Sequence, residues 1–260
     1  MHKLLATLAL AAAATTAAAA DAGPRYRPLP GASFTSVLPQ GPVATASAPV
    51  AIEPFALREA PVTVGEFAAF VRTHPEWARG QAPAVLADAR YLLQWASPLD
   101  PGHGLQAGQP VTEVSWFAAR AYCEGEGARL PTWLEWEYAA AADATRTDAR
   151  ADPAWRRSIL SWYEKPGGEK LDPVGGPANA YGVRNLHGLV WEWVDDFNAL
   201  FIAGDSRTQG DPDKLKFCGA GALSIIDRDS YAVLMRIALL SSLNAADTTG
   251  TLGFRCARRR

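Results

Sequence analysis

NLHGLVWEWVDD, residues 185–196, reads as neither helix nor strand. Asn185 and Glu192 stand seven residues apart, Gly188 lies between them, and Trp191 and Trp193 flank the glutamate. Two arrangements suit such a stretch. It can be a turn whose carboxylate is hydrogen-bonded beneath the tryptophans, or a loop folded around a cation with its oxygens turned inward. The glycine supplies the freedom that a tight curl requires.

The flanks give the fold class. Upstream, LPTWLEWEYAAAAD (130–143) predicts a helix that opens on a capping box, with Thr132 as N-cap and Glu135 three residues on. Another helix is expected after Ser115 in VSWFAARAYCEGEG, ending at its glycines. Thr63 and Glu66 form a second capping box, followed by Phe67, Phe70 and Val71 at helical spacing. A short apolar strand pattern precedes that helix, and Asp152-Pro153 suits the N-cap and first position of a short fourth helix. From about residue 165 helical periodicity disappears, and the chain becomes rich in glycine, proline and asparagine. Short strands are expected near 214–223, 231–240 and 252–257. The expectation is one α+β domain with much irregular backbone, which a disulfide, bound ions or a large tryptophan core must fix.

The ends and the composition place the chain. MHKLLATLALAAAATTAAAA (1–20) has a basic start, a short apolar run and small residues before Asp21, the layout of a cleavable export signal. Residues 21–50 are rich in Pro, Ala, Ser and Gly and read as an extended lead-in, and 51–258 as the domain. No later stretch has the ~18 uninterrupted apolar residues of a spanning helix. Periplasmic or secreted localisation follows as an expectation. The net charge of −2 gives no reason to expect a nucleic acid or an anionic membrane as partner. Arg258, Arg259 and Arg260 read as a solvated tail. Of the three cysteines, Cys123, Cys218 and Cys256, an oxidising compartment should pair two, and spacing alone does not choose which.

Four motifs in order carry a resemblance: PVTVGEFAAFV, QPVTEVSWFAARAYCEGEGARLPTWLEWEYAAAAD, NAYGVRNLHGLVWEWVDD and LGFRCAR. Residues 50–258 resemble the formylglycine-generating enzyme (sulfatase-modifying factor) family. The resemblance implies a C-type-lectin-like core and a disulfide between Cys123 and Cys256, leaving Cys218 as the free thiol. It also implies a structural calcium ion in the opening loop, with Asn185, Leu186, Gly188, Val190 and Glu192 at the ligand positions. Calcium takes roughly six to eight oxygen ligands, which fits such a set. Leu189 departs from the family's second asparagine, at a position that is not one of the ligands. The family's other calcium site lies in a segment replaced here by SWYEKPGGEKLDPVGG and is expected to be absent.

The copper site fares differently. The generating enzymes hold copper with two cysteines five apart, and thiolates are what a soft Cu(I) ion needs. Aligned on IIDRDSYAVLMRIALL, the second cysteine falls at Ala232 and the first near Asp227. Formylglycine generation by that route is therefore not expected. A three-histidine iron site, as in the sulfoxide synthases of the same fold, would have only His74, His103 and His187, which are scattered, with His187 read as a surface residue. Cys218, in KFCGAGALS, is either a small buried apolar residue or a Cu(I) ligand in a groove with Trp191 and Arg236. No Ser-His-Asp order, P-loop or dinucleotide fingerprint occurs.

The cysteine-free SYAVLMR stretch, the KFCGAGALS turn and the SWYEKP segment look like the exported NirV-type proteins. That likeness implies an accessory or maturation factor whose partner is a copper nitrite reductase. The alternatives are a periplasmic oxidase of the PvdO type acting on a small molecule, and a non-catalytic ligand-binding module.

Overall fold

The computed structural model describes residues 25–38, 48–163, 170–200 and 231–260. Cys218, Asp227 and the expected export signal lie outside those residues, as does the strand expected near 214–223.

The chain opens with β1 (Tyr26–Leu29) and β2 (Ala32–Phe34), both inside the segment expected to be an extended lead-in. β3 (Val50–Ile52) and β4 (Phe55–Arg58) follow. β1 pairs antiparallel with β4, Leu29 opposite Phe55, and β4 pairs antiparallel with the last strand, β7 (Ala257–Arg259), Leu57 opposite Ala257. β1 and β7 thus lie on either side of β4. β2 and β3 form a separate two-stranded pair.

The helices start where the capping residues predict. In α1 (Val64–Thr73) and α3 (Trp133–Ala140) both halves of the capping box form, through Thr63 with Glu66 and Thr132 with Glu135. Each box satisfies backbone N–H groups that the first helical turn leaves unpaired. Ser115 caps α2 (Trp116–Gly125). Asp152 Oδ1 accepts from the Ala154 N–H at 2.7 Å at the start of α4 (Pro153–Tyr163).

The second half corrects two expectations. Residues 231–240 are not a strand but part of α5 (Tyr231–Ser241). Ala232, Arg236, Ile237 and Leu240 are buried, a helical stripe rather than a period of two, and Ala, Leu, Met and Arg are good helix formers. The WEW of the opening stretch is a short strand, β5 (Trp191–Trp193), paired parallel with β6 (Leu252–Phe254). Three residues are too few to show alternation.

One apolar core joins these parts. Phe67 of α1 packs against Tyr122 of α2, Trp95, and Phe254 of β6 at ring separations of 5.8, 6.3 and 6.1 Å. Cys123 in α2 bonds Cys256 between β6 and β7, with Cα atoms 5.5 Å apart, as the family resemblance implied. Closing a loop with a sequence separation of 133 restricts the unfolded chain, worth ~4–5 kcal/mol in the chain-entropy account. The N-terminal strands grip α3. Tyr138 Oη donates to the Pro30 carbonyl at 3.1 Å, and Glu137 accepts from Ser36 Oγ and from the Val37 N–H at 2.8 Å.

Candidate functional site

β5 and β6 position the two charged residues on which the opening loop closes. Glu192 and Arg255 are both fully buried. Arg255 Nε and Nη2 donate to the two Glu192 oxygens at 2.8 and 2.7 Å, and Trp136 Nε1 donates to Oε2 at 2.9 Å. The remaining Arg255 donors reach the carbonyls of Arg58, Glu59 and Arg184. A buried charge is tolerable only when paired and hydrogen-bonded throughout, and this guanidinium meets that condition. Arg236 of α5 adds a second cation. Its guanidinium carbon sits 3.5 Å from the centroid of the Trp136 ring, and Nη2 donates to the Glu192 carbonyl.

The same loop contains the oxygens that the family resemblance gives to calcium. Asn185 and Gly188 both have positive φ, 57° and 89°, which turns the backbone between them sharply. Among the described residues the carbonyls of Leu186, Gly188 and Val190 accept no hydrogen bond. Asn185 Oδ1 accepts once, from the Gly175 N–H at 2.9 Å, and Glu192 Oε1 accepts from one Arg255 nitrogen, so each keeps a lone pair. The donor set, all oxygen with one carboxylate, fits a hard divalent cation. The charge balance is less generous, because Arg255 already neutralises Glu192.

Beyond Trp136 lies a small crevice with about 30 Å³ of room for solvent. α3 contributes Trp136 and Glu137, α4 contributes Trp155 and Ile159, the loop contributes His187, and the first turn of α5 contributes Ala232 and Val233. Arg150 and Arg156 also line it. Ala232, the position that the family resemblance aligns with a copper cysteine, is a wall residue of this crevice. His187, expected from sequence at the surface, is half-buried against two indoles. Its ring stands edge to face with both Trp136 and Trp155, at 5.8 Å each, and Nε2 lies 2.8 Å from the Ala140 carbonyl. Burial holds the imidazole's pKa down to about 4, and the guanidiniums of Arg236 and Arg255 push the same way, against the Ala140 bond and Glu192. His187 is thus neutral near pH 7, with its proton on Nε2.

Burial likewise pushes the Glu137 carboxyl up, opposed by its bonds from Ser36, Val37 and Trp133. The other groove candidates lie elsewhere. Arg236 is buried behind Trp136, and Trp191 packs on Trp162 at 5.4 Å, so neither lines the crevice. His74 caps the end of α1 and stacks on Phe70, and His103 sits in an exposed loop, so the three histidines do not converge. Sequence reasoning passed over Trp136, Trp155 and Ile159 because their spacing suits an ordinary core stripe.

Residues 17–260 match the family described as the sulfatase-modifying factor enzyme 1-like domain. The chain belongs to this family. It is 32% identical to the formylglycine-generating enzyme of Streptomyces coelicolor, over 95% of this chain and 95% of that protein. To the inactive C-alpha-formylglycine-generating enzyme 2 of Bos taurus it is 29% identical, over 80% of this chain and 78% of that protein. Among solved structures, PvdO from Pseudomonas aeruginosa aligns with a TM-score of 0.49 and 20% identity, covering 91% and 95% of the two chains. The sulfatase-modifying family thus includes inactive relatives as well as generating enzymes.

Proposed function

We propose that this protein does not generate formylglycine and acts as an exported accessory factor whose crevice holds an organic ligand. The observation that carries this reading is Ala232. A methyl group, which cannot bind copper, stands in a wall that also holds Trp136, Trp155, Ile159 and His187, with Glu137, Arg150 and Arg156 as its charged members. Apolar aromatic walls with few polar groups are what a small-molecule site usually presents. The existence of an inactive relative supports a non-catalytic use of the fold. The likeness to NirV-type proteins extends the proposal to a role in maturing a copper nitrite reductase. Cys218 is proposed, in that setting, as a thiol that could take up Cu(I). The loop of Asn185, Leu186, Gly188, Val190 and Glu192 is proposed to hold calcium in a structural role, where the ion would pin the backbone beside β5.

The deciding experiment incubates the mature protein with a cysteine-containing sulfatase peptide, Cu(I) and oxygen, and follows the peptide by mass spectrometry. No conversion to the aldehyde is expected. Aldehyde formation would overturn the proposal. The accessory role is tested by the copper content of the reductase matured with and without this chain, where equal content would refute it. A second reading, an oxidase of the PvdO type, is favoured by one feature, the neutral His187 acceptor beside two indoles. It requires oxygen uptake with a small substrate.

A further inference from the structure

We infer that residues 35–38 are a strap that opens separately from β1 and β2 and, in opening, releases the Arg150 side of the crevice wall. The inference rests on the reading of the crevice as a ligand site. With about 30 Å³ of room the crevice holds solvent, whereas organic ligands occupy pockets of roughly 300–1,000 Å³. A wall must therefore move before such a ligand enters.

Much of the wall is fixed. Trp136 on α3 is bonded to Glu192, and α5 behind Ala232 buries Ile237 and Leu240. Arg150 differs, since it lies in the turn between α3 and α4 with 26% of its side chain exposed. Besides Asp148, it is the strap that sets its place. Nη1 donates to the Thr35 carbonyl at 2.7 Å, and the guanidinium carbon lies 4.3 Å from the centroid of the Phe34 ring. The strap is tied in turn to Glu137. Ser36 Oγ and the Val37 N–H donate to its two oxygens, and the Leu38 N–H donates to Ser36 Oγ at 3.1 Å.

Residues 26–29 and 32–34 sit in paired strands, but Thr35, Ser36 and Val37 make no backbone–backbone hydrogen bond among the described residues. Side chains hold them, and Leu38 is the only buried apolar residue of the strap. A segment held this way opens at lower cost than a paired strand. Opening does not strand the buried carboxylate either. Trp133 Nε1 stays on Glu137 Oε2 at 2.8 Å, and Arg150 Nη1, 3.9 Å from Oε1, can close that distance once Thr35 leaves.

Amide hydrogen exchange of the mature protein, followed residue by residue by NMR, tests the strap with no ligand present. The reference amides are Arg58 and Val62, which bond the carbonyls of Cys256 and Phe254 at 2.9 Å. Val37 and Leu38 should exchange faster than these by a factor of about ten or more, the mark of local rather than global opening. Ser36→Ala removes one donor to Glu137 and the acceptor of the Leu38 N–H. It should speed exchange at Val37 and Leu38 by about tenfold, the scale of one bond to a charged group, and leave Arg58 and Val62 unchanged. Equal exchange at Val37 and Arg58 in the wild-type protein would overturn the strap while leaving the crevice a ligand site with another wall to move. Acceleration of all four amides together in Ser36→Ala would overturn it as well, because residues 35–38 would then belong to the global unit.

Discussion

Trp136 borders two regions that treat polarity in opposite ways. On one side are Arg236, Glu192 and Arg255, where each carboxylate oxygen is bonded and every Arg255 nitrogen donates. On the other is the crevice, where indole and imidazole rings meet and Nδ1 of His187 makes no hydrogen bond among the described residues. A buried ion pair whose oxygens are each bonded offers nothing to an organic ligand, although Glu192 Oε1 keeps one lone pair on the side of the loop. Its role is to hold β5, β6 and the segment around Arg58 in register. The half-buried crevice wall around Trp155 has the reverse character, contributing less to stability and more to recognition. Sorting polar groups by whether their bonds are complete separates scaffold from site better than residue type does.

The largest break in the tied side is the disulfide. Replacing Cys123 and Cys256 by serine should cost ~4–5 kcal/mol, read from denaturant unfolding. The crevice side should keep its ligand affinity as long as the chain folds. Next comes Arg255→Met, which leaves Glu192 buried without its partner and should cost about 3–5 kcal/mol. Adding Glu192→Gln should recover part of that loss, since a neutral amide is cheaper to bury. Additivity of the two substitutions would show that they do not share one interaction. Trp136→Ala belongs to the same class. It removes a nearly fully buried indole and the Nε1 donor to Glu192, for a loss of about 3–5 kcal/mol.

These two regions were unequally legible in the sequence. The capping boxes at Thr63 and Thr132 announced their helices because they are local, and local chemistry decides helix starts. The disulfide followed from ordered family motifs, which no spacing rule could have replaced. α5 was misread because SYAVLMRIALL is apolar nearly throughout, and a short apolar run does not distinguish strand from helix without knowing which residues face the core. The Glu192–Arg255 pair joins residues 63 apart, and the crevice joins α3, α4, a loop and α5. Neither arrangement is written in any one stretch. His187 looked exposed because its neighbours in sequence are glycine and leucine, whereas its neighbours in space are two indoles.

Calcium lies between the two regions in expected magnitude. If the loop of residues 185–192 takes the ion, calcium at a hundredfold above Kd stabilises by about 2.7 kcal/mol, or roughly 5–10 °C in Tm for a domain of this size. Chelation should remove that increment from the wild-type protein and leave Asn185→Ala unaffected. Identical melting of the wild-type protein with calcium and with chelator would show that Arg255 alone supplies the positive charge at Glu192.

The smallest stability effect is expected at Trp155, and it sharpens the comparison most. Trp155 meets the same imidazole as Trp136, at the same 5.8 Å and nearly the same perpendicular angle, 87° against 78°. It differs in surroundings. Trp136 is buried and bonded to Glu192, whereas Trp155 is half-buried on α4 at the crevice wall. Trp155→Ala should therefore cost only about 1 kcal/mol. The same substitution should lower the affinity of any small ligand held in the crevice, because it removes a wall. A loss as large as that of Trp136→Ala, measured in the same denaturant series, would mean that α4 is held by this indole and that the crevice belongs to the core.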